Sequence, residues 1–415
     1  MNLVKTSSLN AIAVVVKMLV GLFLNKILAV YVGPAGYAVI GQFQNAITMI
    51  TGFASGAVNT GVVKYTAEYS HDEEAQACFW RAATRITVYC SIGFALVIGL
   101  FNRQLAVFFL KEATYGSIFL WFSCFLLFFV LNALLLAILN GKKDVGRYVL
   151  TNISGSLLMA VITALLARSA GLYGALLALS INQSLAFIVT LFICRKADWF
   201  RLKNLWGAFD RGAARKLSGF TLMALTSAAM VPVTQILIRN RIVHELGWVA
   251  AGHWQGIWKI SEMYLMVITT TLSVYYLPRI AELSDAAELR HEIVSGYKKI
   301  LPMAVLGALS IYLLREWIVQ ILFTRDFAAM KDFFVFQLIG DVVKIASWLL
   351  AYVLLGKALV KLFITTEIIF NLLFVVLSSL LIPAYGINGV TASYLATYVL
   401  YFVTIYTLLA RFRHI

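Results

Sequence analysis

The sequence predicts an all-α polytopic membrane protein, with twelve transmembrane helices in two pseudo-symmetric six-helix bundles around a central cleft. Three observations predict it. The first is composition: 61% of the 415 residues are apolar, 13% are charged, and the mean hydropathy is +0.87. A soluble protein of this size charges about a quarter of its residues to cover its surface, so most of this surface faces hydrocarbon.

The second is periodic length. About twelve hydrophobic stretches follow one another, each close to the ~20 residues that span a bilayer core. They cover 8–32, 37–60, 82–101, 116–139, 148–168, 171–193, 217–240, 248–276, 300–323, 333–355, 358–382 and 386–410. The third is internal duplication. Laying Gly386 on Gly171 brings "GKALVKLFITTEI" (356–368) onto "GKKDVGRYVLTNI" (141–153), Gly389 onto Gly174 and Phe402 onto Phe187, without a gap. Upstream, with small slips, Gln255 falls on Gln42, Arg241 on Lys26 and "AELS" (281–284) on "AEYS" (67–70).

Each half therefore holds six spans. An even number starts both halves on the same side, as parallel repeats about an axis along the membrane normal. The expected organisation is an N-terminal lobe over 1–194, a cytoplasmic linker over 195–216 and a C-terminal lobe over 217–415. The linker, "RKADWFRLKNLWGAFDRGAARK", is expected to lie on the membrane surface as an amphipathic helix.

The formal net charge of +15 reads as topology. With a cytoplasmic N-terminus, Lys and Arg gather in the loops of that side, which places both termini in the cytoplasm and argues against nucleic acid as a partner. Lys17 and Lys26 in the first stretch, and the lack of a small-residue cleavage pattern, argue against a cleaved signal peptide. Cys78, Cys90, Cys124 and Cys194 have no paired spacing, and the histidines are scattered, so no disulfide, metal or other cofactor is expected. No GxxxxGK[ST] loop occurs, which excludes ATP hydrolysis within this chain. The outer segments "NRQLAVFFLKEATYG", "RNRIVHELG" and "TRDFAAMKD" are short. An enzyme is therefore not expected, and function is placed in the cleft.

Taken in order, the first span sets Ser7, Asn10, Lys17, Gly21 and Asn25 on one face. Gly33, Pro34 and Gly36 form a tight outer turn, and the second span continues with Gln42, Asn45, Gly52 and Asn59. Arg81 and Arg85 open the third span at the cytoplasmic face. The next three spans contribute none of the mid-span charges. In the seventh, Pro232 stands where the first half has Lys17; a mid-span proline bends a helix and makes a hinge candidate. Thr234, Gln235 and Arg239 follow it. The eighth carries Gln255, Lys259 and Glu262 on one stripe, with Trp254 and Trp258 adjoining. The tenth carries Gln337, Asp341, Lys344 and Trp348, and the eleventh carries Glu367.

A charge at mid-bilayer costs about 2.5–3.5 kcal/mol on the insertion scale. Lys17, Lys26, Lys259, Lys344, Glu262, Asp341 and Glu367 must therefore face the cleft or pair. Asp341 with Lys344, and Lys259 with Glu262, are each spaced to neutralise one another. Lys26 is near enough to the outer interface to snorkel, and the tryptophans have an alternative as interfacial anchors. In the cleft reading, Lys17, Lys26, Arg239, Lys259 and Lys344 form a cationic site suited to a diphosphate. Asn10, Gln42, Asn45, Trp254, Gln255, Trp258 and Gln337 offer the polar and aromatic surface that sugars bind. Glu262, Asp341 and Glu367 are candidates to couple H⁺ or Na⁺.

Six stretches, "NKILAVYVGPAGYAVIGQFQN" (25–45), "GVVKYTAEY" (61–69), "KLSGFTLMALTSA" (216–228), "WQGIWKISEMYL" (254–265), "FQLIGDVVKIASW" (336–348) and "FITTEI" (363–368), carry a family resemblance. Over nearly its whole length the chain resembles the Wzx-type polysaccharide-lipid flippases of bacterial inner membranes. These are the O-antigen and enterobacterial common antigen (lipid III) translocases of the multidrug/oligosaccharidyl-lipid/polysaccharide exporter superfamily. The resemblance implies an undecaprenyl-diphosphate-linked glycan moved from the cytoplasmic to the periplasmic leaflet by alternating access. It also implies ion-gradient coupling, with Lys17, Lys259, Lys344, Asp341 and Glu367 lining the cavity. The expected partners are that glycan lipid, the phospholipid bilayer and the polysaccharide polymerase machinery. The rivals are a drug or cation exporter of the same superfamily, a membrane oligosaccharide polymerase and a sugar-free lipid scramblase.

Overall fold

The computed structural model describes the backbone of residues 3–283, 285–357 and 359–411, and their side chains apart from 3–13, 219–223, 227, 274, 278, 281, 286 and 411. Among the described residues every regular element is helical. In chain order these are α1 (Leu3–Ala54), α2 (Asn59–Glu68), α3 (Glu73–Leu100), α4 (Asn102–Leu110), α5 (Gly116–Gly141) and α6 (Val145–Cys194). Then come α7 (Leu202–Leu205), α8 (Arg211–Thr271), α9 (Leu277–Glu282), α10 (Ala286–Leu322), α11 (Phe334–Gly356) and α12 (Val360–Arg411). A π-helical turn, Leu272–Tyr276, extends α8, and a 3₁₀ stretch, Arg325–Phe333, leads into α11. Among the described residues seven candidate spans are long and apolar enough to cross a membrane, the most hydrophobic being Ala113–Gly141. The architecture is all-α and polytopic.

The four longest helices, α1, α6, α8 and α12, contain 52, 50, 61 and 52 residues. Unbroken, each would run roughly 75–90 Å at 1.5 Å per residue, more than twice the ~30 Å hydrocarbon core. Each is broken by a glycine. Gly33 (φ 63°, ψ −176°) and Gly247 (φ 83°, ψ 173°) adopt a conformation essentially closed to other residues. Gly171 (φ 54°, ψ −131°) and Gly386 (φ 58°, ψ −136°) form a second matched pair. The repeat lays Gly386 on Gly171, and Gly247 lies between Arg241 and Gln255 as Gly33 lies between Lys26 and Gln42. The duplication is thus written in the backbone angles. Three residues past the second pair, a Cβ on Gly174 would come 1.8 Å from the Leu166 carbonyl oxygen, and one on Gly389 2.4 Å from that of Leu381. Four doubled helices and the single α3, α5, α10 and α11 give twelve long arms among the described residues, compatible with the expected spans.

The chain divides into two compact units, one of Met1–Val32 and Ile40–Pro232, the other of Gly33–Val39 and Val233–Ile415. In the first, Trp80, Phe79, Ile138, Cys194, Trp199 and Leu217 share a buried apolar cluster. Trp80 Nε1 donates to Thr66 Oγ1 at 2.8 Å and Gln76 Nε2 to the Thr66 carbonyl at 2.6 Å. Asn132, on α5, is latched by neutral groups of α6: its Nδ2 donates to Gln183 Oε1 at 2.8 Å and its Oδ1 accepts from Thr190 Oγ1 at 2.6 Å. In the second unit, Leu265, Tyr276, Ile345, Leu349 and Tyr401 belong to one core cluster, and Ala38, Trp254, Trp258, Phe374 and Tyr394 to another. The α1 turn belongs here: Tyr37 sits edge-on to Phe323 and Phe327, and the Pro34 carbonyl lies against Gly252, where a Cβ would approach to 2.0 Å.

The linker corrects the sequence reading. Residues 195–216 do not form one amphipathic surface helix; helix is confined to α7, four residues long, before α8 begins at Arg211. The apolar residues of this segment have a protein partner, since Ala197 and Trp199 are buried and Trp199 packs edge-on to Trp80. Arg81 Nε donates to the Lys203 carbonyl at 3.0 Å, and Asp210 Oδ1 accepts from the Ala213 backbone at 2.6 Å, starting α8 afresh. The second expected span also stops early. α1 ends at Ala54, Gly56 and Ala57 take positive φ, and Asn59 opens α2, so Asn59 does not share a helix face with Gln42 and Asn45. The segment after α3, expected on the outer side, is itself largely helical, as α4.

Candidate functional site

The site is built in the second unit from three helical arms. α11 carries Gln337, Asp341, Lys344 and Trp348 at steps of four, three and four, one face of a helix. The arm of α8 beyond Gly247 carries Trp254, Gln255, Trp258, Lys259, Glu262 and Tyr264. The arm of α12 beyond Gly386 carries Tyr394 and Tyr398.

Asp341 is fully buried. Its Oδ1 accepts from the Tyr394 hydroxyl at 2.9 Å and from Gln337 Nε2 at 3.3 Å, and its Oδ2 accepts from the Tyr264 hydroxyl at 3.0 Å. A buried carboxylate is tolerated when donors occupy its lone pairs, and three different helical arms supply them here.

Lys344 does not pair with Asp341; no ion pair joins them among the described residues. Its Nζ lies instead over four rings, 4.9 Å from the Trp348 centroid, 5.6 Å from Trp258, 5.6 Å from Tyr398 and 5.8 Å from Tyr394. Each is within reach of a cation–π attraction, which strengthens where water is excluded. The mutual neutralisation open to these two residues in the sequence gives way to two separate sets of partners.

The other expected pair does form. Lys259 Nζ is 3.1 Å from Glu262 Oε2, and Glu262 Oε1 accepts from Trp258 Nε1 at 3.0 Å. Both charged side chains are accessible, at 32% and 48%. Trp258 then packs edge-on to Tyr394 at 5.5 Å and tilts against Trp254 at 5.7 Å. Arg239 is fully buried; its guanidinium lies 5.4 Å from the Trp254 centroid, and its Nη2 donates to Gln255 Oε1. One connected polar and aromatic network thus runs from Lys259 at the surface to Asp341 in the interior, with an arm to Arg239.

The remaining candidates lie elsewhere. Lys17 is exposed and Lys26 partly buried on α1, Gln42 is fully buried and Asn45 partly so, and all four belong to the first unit. Asn10 lies outside the residues whose side chains are described. Glu367 is partly buried on the first arm of α12, where its carbonyl accepts from Asn371 Nδ2 at 2.8 Å. Pro232 is buried inside α8, whose non-helical break is at Gly247, and it is the last residue of the first unit.

Sequence reasoning missed Tyr264, Tyr394 and Tyr398. A signal for two of them existed: Tyr394, Tyr398 and Tyr401 recur at steps of four and three, which puts them on one face of α12. Gly340 has a reason as well. A Cβ there would come 2.5 Å from Cδ1 of Tyr394, so glycine is what admits the ring beside Asp341.

A family model described as polysaccharide biosynthesis protein matches residues 3–284. The lipid III flippase of Escherichia coli K12 is 32% identical over 406 residues, covering 97% of each chain. Among solved structures, an inward-facing multidrug resistance MATE family transporter of the MOP superfamily aligns with a TM-score of 0.77 at 14% identity, over 96% of this chain and 94% of that one. The lipid II flippase MurJ in an inward closed conformation aligns with a TM-score of 0.75 at 11% identity, over 98% and 87%. At such identities these two likenesses show the fold alone, a multi-pass helical bundle. The sequence match goes further: this chain belongs to the polysaccharide biosynthesis protein family.

Proposed function

We propose that the chain is a flippase for an undecaprenyl-diphosphate-linked oligosaccharide of the lipid III class, and therefore a transporter and not an enzyme. It would act in a bacterial inner membrane with both termini cytoplasmic, carrying its cargo from the cytoplasmic to the periplasmic leaflet. The observation that carries this reading is the near full-length match to a protein named lipid III flippase. The site chemistry supports it. Lys344 is held by ring faces and not by a carboxylate, so its charge stays open to a diphosphate, and Lys259 and Arg239 are further cations of the same network; Lys17 and Lys26 are assigned to the substrate from the sequence alone. Trp254, Trp258, Gln255 and Gln337 offer sugars both stacking faces and hydrogen bonds.

Alternating access is the mechanism we assign. Support comes from Gly33 and Pro232, which stand where the chain passes between its two compact units. Asp341, Glu262 and Glu367 are the groups assigned to H⁺ or Na⁺ coupling, and the polysaccharide polymerase machinery is the expected consumer of the product.

The test is complementation. In an Escherichia coli strain lacking its own lipid III flippase, the chain restores surface enterobacterial common antigen and clears the accumulated lipid-linked sugar. Lys17→Ala and Lys344→Ala each reduce this about tenfold or more, as losing one charge-assisted contact of 1.5–3 kcal/mol requires, with membrane protein levels unchanged. A normally inserted protein that leaves the lipid accumulated sinks the reading, and full activity of both variants removes the anion site from it.

A further inference from the structure

Tyr394 touches both halves of the site at once. Its hydroxyl donates to Asp341 at 2.9 Å, while its ring forms one wall of the cage around Lys344. The ring has little freedom. It is 1% exposed and hemmed in by Trp258 at 5.5 Å, Tyr398 at 4.8 Å and Phe374 at 5.7 Å, with Gly340 beneath it. Tyr264, the other tyrosine on Asp341, is not among the rings that face Lys344. We infer that Tyr394 is a positioning residue that ties the charge state of Asp341 to the aromatic cage holding Lys344, so that a cation arriving at the carboxylate is felt by the ammonium that meets the substrate. This deepens the flippase reading of the same site and rests on it.

The physical basis is that an ionised Asp341 accepts the tyrosine hydroxyl proton as a charge-assisted bond, and a neutralised one releases much of that attraction. A ring packed on every side can answer only by shifting against Trp258 and Tyr398. The charged and titratable groups facing this pair are Lys344 on α11, Tyr264 on α8 and Tyr398 on α12.

Tyr394→Phe separates the two contacts, since it keeps the ring and deletes the donor. The first measurement needs no substrate. In the purified full chain, tryptophan emission from the cage is titrated with pH; the Asp341-dependent step is the one lost in Asp341→Asn, and its cage origin is assigned with Trp348→Phe. In Tyr394→Phe that step moves by about one pH unit, the worth of one hydrogen bond to a charged group. An unmoved step, or a wild type with no Asp341-dependent step, overturns the inference. The second measurement is flipping of an undecaprenyl-diphosphate oligosaccharide in vesicles, where Tyr394→Phe displaces the pH midpoint by the same amount with KM within about twofold. Emission that shifts while the flipping midpoint stays put sinks the flippase role of this site and leaves the Tyr394 linkage standing.

Discussion

The α5–α6 contact of the first unit and the α11–α12 contact of the second are repeats of one design, and they have been filled oppositely. Gly141 ends α5 as Gly356 ends α11, and α6 and α12 break at matching glycines. In that register Gln337 falls on Phe122, Asp341 on Leu126 and Lys344 on Phe129. Phe122 and Leu126 are fully buried, and the first contact is fastened by neutral groups, Asn132, Gln183 and Thr190. The second holds a buried carboxylate and an ammonium, each attended by aromatic residues of other helical arms. A duplicated helix pair does not need ions to pack, as its own twin demonstrates. Packing alone therefore does not account for the charges in the second unit.

The sharpest way to break this comparison is to exchange the fillings. Leu126→Asp puts a carboxylate where no donor set awaits it and costs about 3 kcal/mol on the membrane insertion scale, read as a lower Tm and less protein in the membrane. Asp341→Leu keeps the fold to within about 1–3 kcal/mol, because it removes a buried charge but strands two hydroxyls and an amide; flipping in vesicles is abolished. Equal tolerance of both exchanges would show that the two lobes are not specialised.

A smaller effect is expected at the shared backbone. Gly174→Ala destabilises by about 2–3 kcal/mol and Gly389→Ala by less, since overpacking costs rise with the clash and the approaches are 1.8 Å and 2.4 Å. Thermal unfolding ranks the two, and the reverse order would mean that the paired breaks are not equivalent turns. The smallest effect belongs to Asn132→Leu, about 1 kcal/mol of stability, typical of an interhelical hydrogen bond in lipid. Flipping by this variant stays at the wild-type rate. A large loss of transport with stability intact would place function in the first contact too.

How much of this was legible beforehand varied with the range of the interaction. The helical arms and their breaks were readable because lipid admits no unpaired backbone and because a glycine at each break is a local requirement. The Lys259–Glu262 pair was readable because three residues on a helix bring side chains together. The linker was misjudged: alternating basic and aromatic residues suit a membrane surface, but Trp199 found Trp80 instead. Tyr264, Tyr394 and Tyr398 escaped notice because a tyrosine in a spanning segment looks like apolar filling until its hydroxyl is seen to meet a carboxylate, as for the first two, or its ring an ammonium, as for Tyr398.

The chain's solvent, its helices, their glycine breaks and their duplication follow from composition, hydrophobic length and backbone sterics, all of which act within a few residues or through the bilayer itself. Partner choice was another matter. Asp341 and Lys344 are close enough in sequence to pair, yet one bonds to tyrosines and an amide and the other to ring faces. Gln337 and Trp348 apart, that outcome rests on side chains brought in from α8 and α12, whose approach no spacing along α11 encodes.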